Sequence, residues 1–119
     1  MSTELSRTSL KDSISTFTAN MSKDASPAVI ATLGAELTKL AESGIAKRAL
    51  AIGAKAPNFV LPDARGGQVS LSTLLAKGPV VVTFYRGGWC PFCDLQLRAY
   101  QGILTQLRDL GADSAAHLT

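Results

Sequence analysis

At 119 residues the chain has the length of one small domain, so one domain at most is expected, with no room in these residues for a multidomain enzyme. Apolar residues make up 46% and charged residues 18%, enough to bury a core and too apolar for a disordered chain. Twelve Lys plus Arg against nine Asp plus Glu leave a net +3 with both signs scattered, so no basic tract marks a nucleic-acid surface.

In chain order, Glu4, Arg7, Lys11, Asp12, Lys23 and Asp24 stand where a secretory leader would have its apolar centre. No apolar run reaches the ~18 residues that a membrane span needs. The expected location is the cytoplasm. Leu10, Ile14, Phe17 and Met21 recur on one stripe at helical spacing. Ser26 before Pro27 has the form of a helix start, a capping hydroxyl followed by a proline whose missing N–H is no loss. Ile30, Leu33, Leu37 and Leu40 give the helix that follows an apolar face; Gly44 interrupts it, and a short helical stretch over 45–51 runs up to Gly53. Residues 1–52 therefore read as a helical arm suited to packing or to forming a homodimer.

From Gly53 the texture changes. Pro57 and Pro62 hold residues 56–62 extended, Asp63 to Gly67 form a turn, and 68–71 answer as the second strand of a hairpin. Ser70 or Ser72 is placed to cap a brief helix over 73–76, closed by Gly78 and Pro79. The β-branched and aromatic run Val80–Tyr85 predicts a parallel strand buried on both faces. After the loop Arg86-Gly87-Gly88, one helix is predicted from Pro91 to Leu110, with Leu97, Tyr100, Leu104 and Leu107 on its inner stripe and Gly111 at its end. Cys90 and Cys93 thus fall where a central strand feeds a helix N-terminus, the edge at which open α/β sheets place their chemistry.

Two cysteines three apart are too few and too close to staple a secreted scaffold, and they suit a redox pair kept reduced in the cytosol. A thiol attacks as its thiolate. Cys90, just ahead of the first turn, meets unpaired N–H groups and the positive end of the helix, Arg86 adds a charge from the same loop, and Pro91 starts the helix without wasting a donor. Cys93 lies one turn on, at the about 5–6 Å that separates i and i+3 Cβ atoms, so the pair can cycle between dithiol and disulfide. Cys90 oxidised to a sulfenic acid could condense with Cys93. Cys90 is the expected nucleophile and Cys93 the resolving thiol, because a sulfur inside the helix is expected to be shielded. CxxC also occurs as half of a zinc site or as two inert core thiols, but Trp89 ahead of the pair, Pro91 within it and the flanking strand and helix favour redox chemistry. His117, in a short polar tail, offers a third ligand with no fourth, so neither a metal nor another cofactor is expected.

The block Val80 to Arg98, VVVTFYRGGWCPFCDLQLR, closely resembles the peroxiredoxin-like branch of the alkyl hydroperoxide reductase/thiol-specific antioxidant (AhpC/TSA) family. The stretch from Gly53 to Leu75 is similar to that family's N-terminal hairpin, and Ser43-Gly44-Ile45-Ala46 to the helical arm of bacterial members. The resemblance implies an α/β, thioredoxin-like fold, a hydroperoxide substrate, and thioredoxin or a similar dithiol protein as reductant, with Cys90 peroxidatic and Cys93 resolving.

Two departures accompany it. Gly87 stands where typical members carry a Thr or Ser three residues before the peroxidatic cysteine, and Thr83 ends a buried strand too far away to replace that hydroxyl. After Leu110 only residues 111–119 remain, where the family fold continues into strands, a cis-proline and another helix. That tail is expected to be too short for a strand plus crossover helix, which would leave Val80–Tyr85 without a neighbour. The expected organisation is a helical arm, 1–52, followed by the N-terminal portion of a C-terminally truncated thioredoxin-like domain, 53–119. Three functions follow: a thioredoxin-dependent peroxiredoxin; a thioredoxin-like oxidoreductase of protein disulfides, favoured by Trp89-Cys90-Pro91-Phe92-Cys93 and by Gly87; or an inactive fragment whose arm binds a partner.

Overall fold

The computed structural model describes residues 9–118, the last three by backbone alone. It divides into two compact units, residues 15–57, and residues 58–118 together with 9–14. Among the described residues no helix is long and apolar enough to cross a membrane.

Helix α1 (Leu10–Asp24) begins in one unit and ends in the other. Its start is set by Ser9, whose hydroxyl accepts from the Asp12 N–H at 3.1 Å and donates to the Asp12 carboxylate at 2.6 Å, a reciprocal cap absent from the sequence reading. Leu10, Ile14, Phe17 and Met21 are the half-buried stripe that their spacing predicts. Helix α2 (Pro27–Glu42) starts at Ser26, whose hydroxyl accepts from the Val29 N–H at 3.4 Å. No residue of α2 is buried, and Leu33, Leu37 and Leu40 lie open to solvent. The helical stretch expected over 45–51 is a tighter and shorter 3₁₀ turn, Ile45–Arg48.

In the other unit β1 (Val60–Pro62) and β2 (Gln68–Ser70) form the expected antiparallel hairpin, with Leu61 opposite Val69. Asp63 makes the turn: its carboxylate accepts from the N–H groups of Arg65 at 2.7 Å and Gly67 at 2.9 Å. Ser70, the first of the two expected caps, accepts from the Thr73 N–H at 3.5 Å and begins α3 (Leu71–Leu75) two residues before the predicted helix. Helix α3 is tied to the hairpin by Leu71 N–H on the Phe59 carbonyl and Ser72 N–H on Asn58 Oδ1, each at 3.0 Å, and Leu71 is buried.

Strand β3 (Val80–Tyr85) forms where expected, and three findings then depart from the sequence reading. First, the single helix predicted from Pro91 to Leu110 is two, α4 (Pro91–Gln101) and α5 (Leu104–Asp109), interrupted at Gly102 and Ile103. The apolar period runs straight through the break: Leu97 and Tyr100 before it and Leu104 and Leu107 after it are all half-buried. Second, the tail is strand β4 (Asp113–Leu118), parallel to β3 from Val80 opposite Asp113 to Tyr85 opposite Leu118. The expectation that β3 lacks a neighbour fails because α4 and α5 are themselves the crossover, and a strand needs only the few residues left after them. Gly111, in the left-handed conformation at φ 78°, ends α5: its N–H bonds the Arg108 carbonyl and the Ala112 N–H bonds the Leu107 carbonyl, each at 2.9 Å, which turns the chain back toward β3. Third, β3 is not covered on both faces. Thr83 is buried, while Val81 is 39% and Phe84 64% exposed, since an apolar run reports what a strand can bury and not how many layers cover it. The side chain of His117 lies outside the described residues; its backbone pairs with Phe84 in β4.

Candidate redox site

The loop 86–90 joins the end of β3 to the start of α4. A four-residue turn closes it, with the Cys90 N–H on the Gly87 carbonyl at 3.0 Å, and Cys90 then accepts the first helical bond, from the Asp94 N–H at 3.0 Å. Cys90 is therefore the N-cap of α4, extended at φ −89° and ψ 109°, with Pro91 at the first helical position as expected. Its sulfur closes no capping hydrogen bond of ordinary geometry, yet the N–H groups at the helix start lie near enough to act on its charge.

The Cys90 thiol is held below its ordinary pKa. The largest cause is the Cys93 thiol, which hydrogen-bonds the Cys90 sulfur, followed by the Cys93 backbone N–H. Burial pushes the other way, and the Arg86 charge and the Phe92 N–H add to the lowering. Both cysteines are free thiols. Their burial is the reverse of the expected order: Cys90 is buried at 4% exposure and Cys93 is only half-buried. Cys90 closes the turn on the Gly87 carbonyl, whereas Cys93 stands in the first turn of α4. The Cys93 sulfur accepts from the Arg86 N–H at 3.4 Å, which ties the end of β3 to the start of α4 through the second cysteine.

Arg86, Trp89 and Pro91, the expected supporting residues, all gather at this corner. The Arg86 guanidinium lies 4.8 Å from the centre of the Trp89 ring, a cation–π stack on a ring that is 69% exposed. Gly87 is buried at φ 147°, a conformation that L side chains rarely adopt, and a Cβ built there would collide with the Trp89 indole. The sequence shows that residue 87 lacks a hydroxyl; the structure adds that the indole takes the space. Thr83 lines a separate cavity with Leu97, Tyr100 and Leu104, so it does not reach the cysteines. A cleft of about 590 Å³ between the hairpin and the β3–β4 sheet is lined by residues such as Phe59, Leu61, Val82 and Tyr85 and contains neither cysteine. Among the described residues no group of three or more His, Cys, Asp or Glu side chains is arranged to hold a metal ion.

No solved structure matches this chain. The thiol-disulfide oxidoreductases ResA of Bacillus thuringiensis (strain Al Hakam), Bacillus cereus (strain ZK / E33L) and Bacillus anthracis are each 31% identical to it over 70 residues. The match covers 59% of this chain and 39% of each relative, so the chain spans less than half the length of the curated relatives it matches. Residues 52–116, more than half of the chain and all of the strand, loop and helix around the two cysteines, match the AhpC/TSA family model, and the chain belongs to the AhpC/TSA family of the thioredoxin-like superfamily, whose chemistry is thiol-based oxidoreduction.

Proposed function

We propose that the chain is a hydroperoxide reductase that works through Cys90 and Cys93. The observation that supports this most is Cys90 at the N-cap of α4, its thiol below the ordinary pKa, with the Cys93 thiol hydrogen-bonding it. In this reading the Cys90 thiolate attacks the terminal oxygen of a hydroperoxide, the O–O bond breaks, and the other oxygen leaves as an alcohol or water after taking a proton. Cys90 is now a sulfenic acid. Cys93 attacks its sulfur, water leaves, and a Cys90–Cys93 disulfide forms. A dithiol protein such as thioredoxin returns two electrons by exchange, regaining the two thiols as its own become a disulfide. Residues 1–52 serve as an arm that packs or pairs two copies, residues 53–119 carry the chemistry, and the chain works in the cytoplasm.

A second reading is a thioredoxin-like oxidoreductase of protein disulfides, in which Cys90 attacks a sulfur instead of an oxygen. It is favoured by the closure of the residue-87 position by Trp89 and by the matched relatives being thiol-disulfide oxidoreductases by name. Hydrogen peroxide consumption coupled to thioredoxin and its reductase, run beside reduction of insulin disulfides, separates the two. Peroxide turnover that needs Cys90 supports the first; insulin reduction without peroxide turnover supports the second; no turnover in either assay is the result expected of an inactive binding fragment.

A further inference from the structure

We propose that the indole N–H of Trp89 is the hydrogen-bond donor that orients the hydroperoxide at Cys90 and stabilises its leaving oxygen. The inference rests on the hydroperoxide reading and names a substrate-orienting residue for it. When a thiolate takes one oxygen of a peroxide, negative charge develops on the other as the O–O bond breaks, and a donor already in place there lowers the barrier.

Some of the nearby backbone donors are already committed. The N–H groups of Phe92 and Cys93 act on the Cys90 sulfur itself, the Cys90 N–H is bonded to the Gly87 carbonyl, and the Arg86 N–H is bonded to the Cys93 sulfur. The Trp89 Nε1–H has no hydrogen-bond acceptor among the described residues.

Its position fits the role. The atoms nearest to where a Cβ of residue 87 would stand are Nε1 and then Cδ1 of Trp89, so the N–H edge of the ring lies on Gly87. Gly87 is in turn bonded through its carbonyl to Cys90, which keeps the N–H edge and the sulfur-bearing residue on one tight turn. Gly87 thus removes the side chain that would hold the indole away. The Arg86 guanidinium on the ring face fixes the ring and makes its N–H a stronger donor, and 69% exposure leaves the ring open to a small substrate.

The test is Trp89→Phe in the full chain, which keeps an aromatic face and removes the donor. Two rates are read: oxidation of Cys90 by hydrogen peroxide, and alkylation of Cys90 by iodoacetamide across pH, which needs the thiolate and no oxygen donor. The expected result is a fall of about tenfold in the peroxide rate, the low side of losing one preorganised donor, with the alkylation profile unmoved. Gly87→Ala, which retains the N–H but displaces the ring, is expected to lose peroxide rate in the same way. A Trp89→Phe chain as fast with peroxide as the parent overturns the donor role, and a parallel fall in both rates overturns it in favour of an effect on the thiolate. A parent chain no faster than free cysteine with peroxide defeats the hydroperoxide reading itself, and the donor role with it.

Discussion

The units 15–57 and 58–118 are held by contacts of different reach. In the first, hydrogen bonds close within a turn: Val29 on Ser26, Thr32 on Ala28, Thr38 on Gly34, and an exposed Lys39–Glu36 ion pair that is worth little. No residue of α2 or of the 3₁₀ turn is buried. In the second, Val80 pairs with Asp113, Asn58 holds Ser72, and the buried residues Leu71, Thr83 and Cys90 belong to segments brought together across the chain. Local contacts make helices; they do not fix two side chains from different segments. The cysteine pair lies where a long-range strand pairing anchors one side of a loop and a helix anchors the other, and reactive geometry needs that rigidity.

The largest way to test this division is Cys90→Ser, expected to lower thiol-dependent turnover at least about a thousandfold, against Leu37→Ala in α2, expected to leave it unchanged. Comparable losses from both, measured by peroxide consumption and insulin reduction, would erase the distinction. Next comes Cys93→Ser. Peroxide should still oxidise Cys90, but without a resolving thiol the sulfenic acid persists and goes on to sulfinic acid, and dithiol-driven turnover falls to a small fraction; intact-mass spectrometry reads the added oxygens.

A smaller effect concerns stability. Leu71→Ala, at 5% exposure, should cost about 2–3 kcal/mol in urea unfolding. Leu37→Ala, at 66% exposure, should stay within about 0.5 kcal/mol. The smallest is Arg86→Gln. Arg86 favours the Cys90 thiolate, so its removal raises the pKa: alkylation of Cys90 should slow by no more than about fivefold at neutral pH and match the parent in alkali. A slowing that persists in alkali would mean that Arg86 acts on something other than ionisation. Because the folded-state pKa is the lower one, the associated stability is present above the ordinary thiol pKa and is lost as pH falls through the lowered value.

Much of this was legible in the residues because it is local. Ser26-Pro27 marks a helix start, Asp63 to Gly67 a turn, Ser70 a cap and Val80–Tyr85 a strand, each through chemistry contained within a few positions. Strand β4 was not legible. The segment Asp113–Leu118 holds no β-branched residue, and its conformation comes from the edge that β3 offers it. The break at Gly102 was hidden for a related reason: Leu97, Tyr100, Leu104 and Leu107 keep helical spacing on both sides of it, and period does not report a local change of backbone. At the site, the strand-to-helix placement of the cysteines was readable, but the deeper burial of Cys90 and the seating of Trp89 on Gly87 depend on how the turn closes in space. Gly87 two residues before a Trp was the available signal, since the side chain it lacks would stand where the chain's own ring lies.

The N-cap position of Cys90 also bears on the direction in which electrons run. The Cys93 hydrogen bonds, the Phe92 N–H and the Arg86 charge all favour a negative sulfur at the start of α4, and a disulfide carries no such charge. In the proposed cycle, whatever makes Cys90 a ready nucleophile therefore stabilises the reduced pair over the oxidised one and raises the reduction potential. The closed disulfide would draw electrons from its dithiol partner, so that recharging, the step after each substrate is spent, is driven by the same few atoms that prepared the attack.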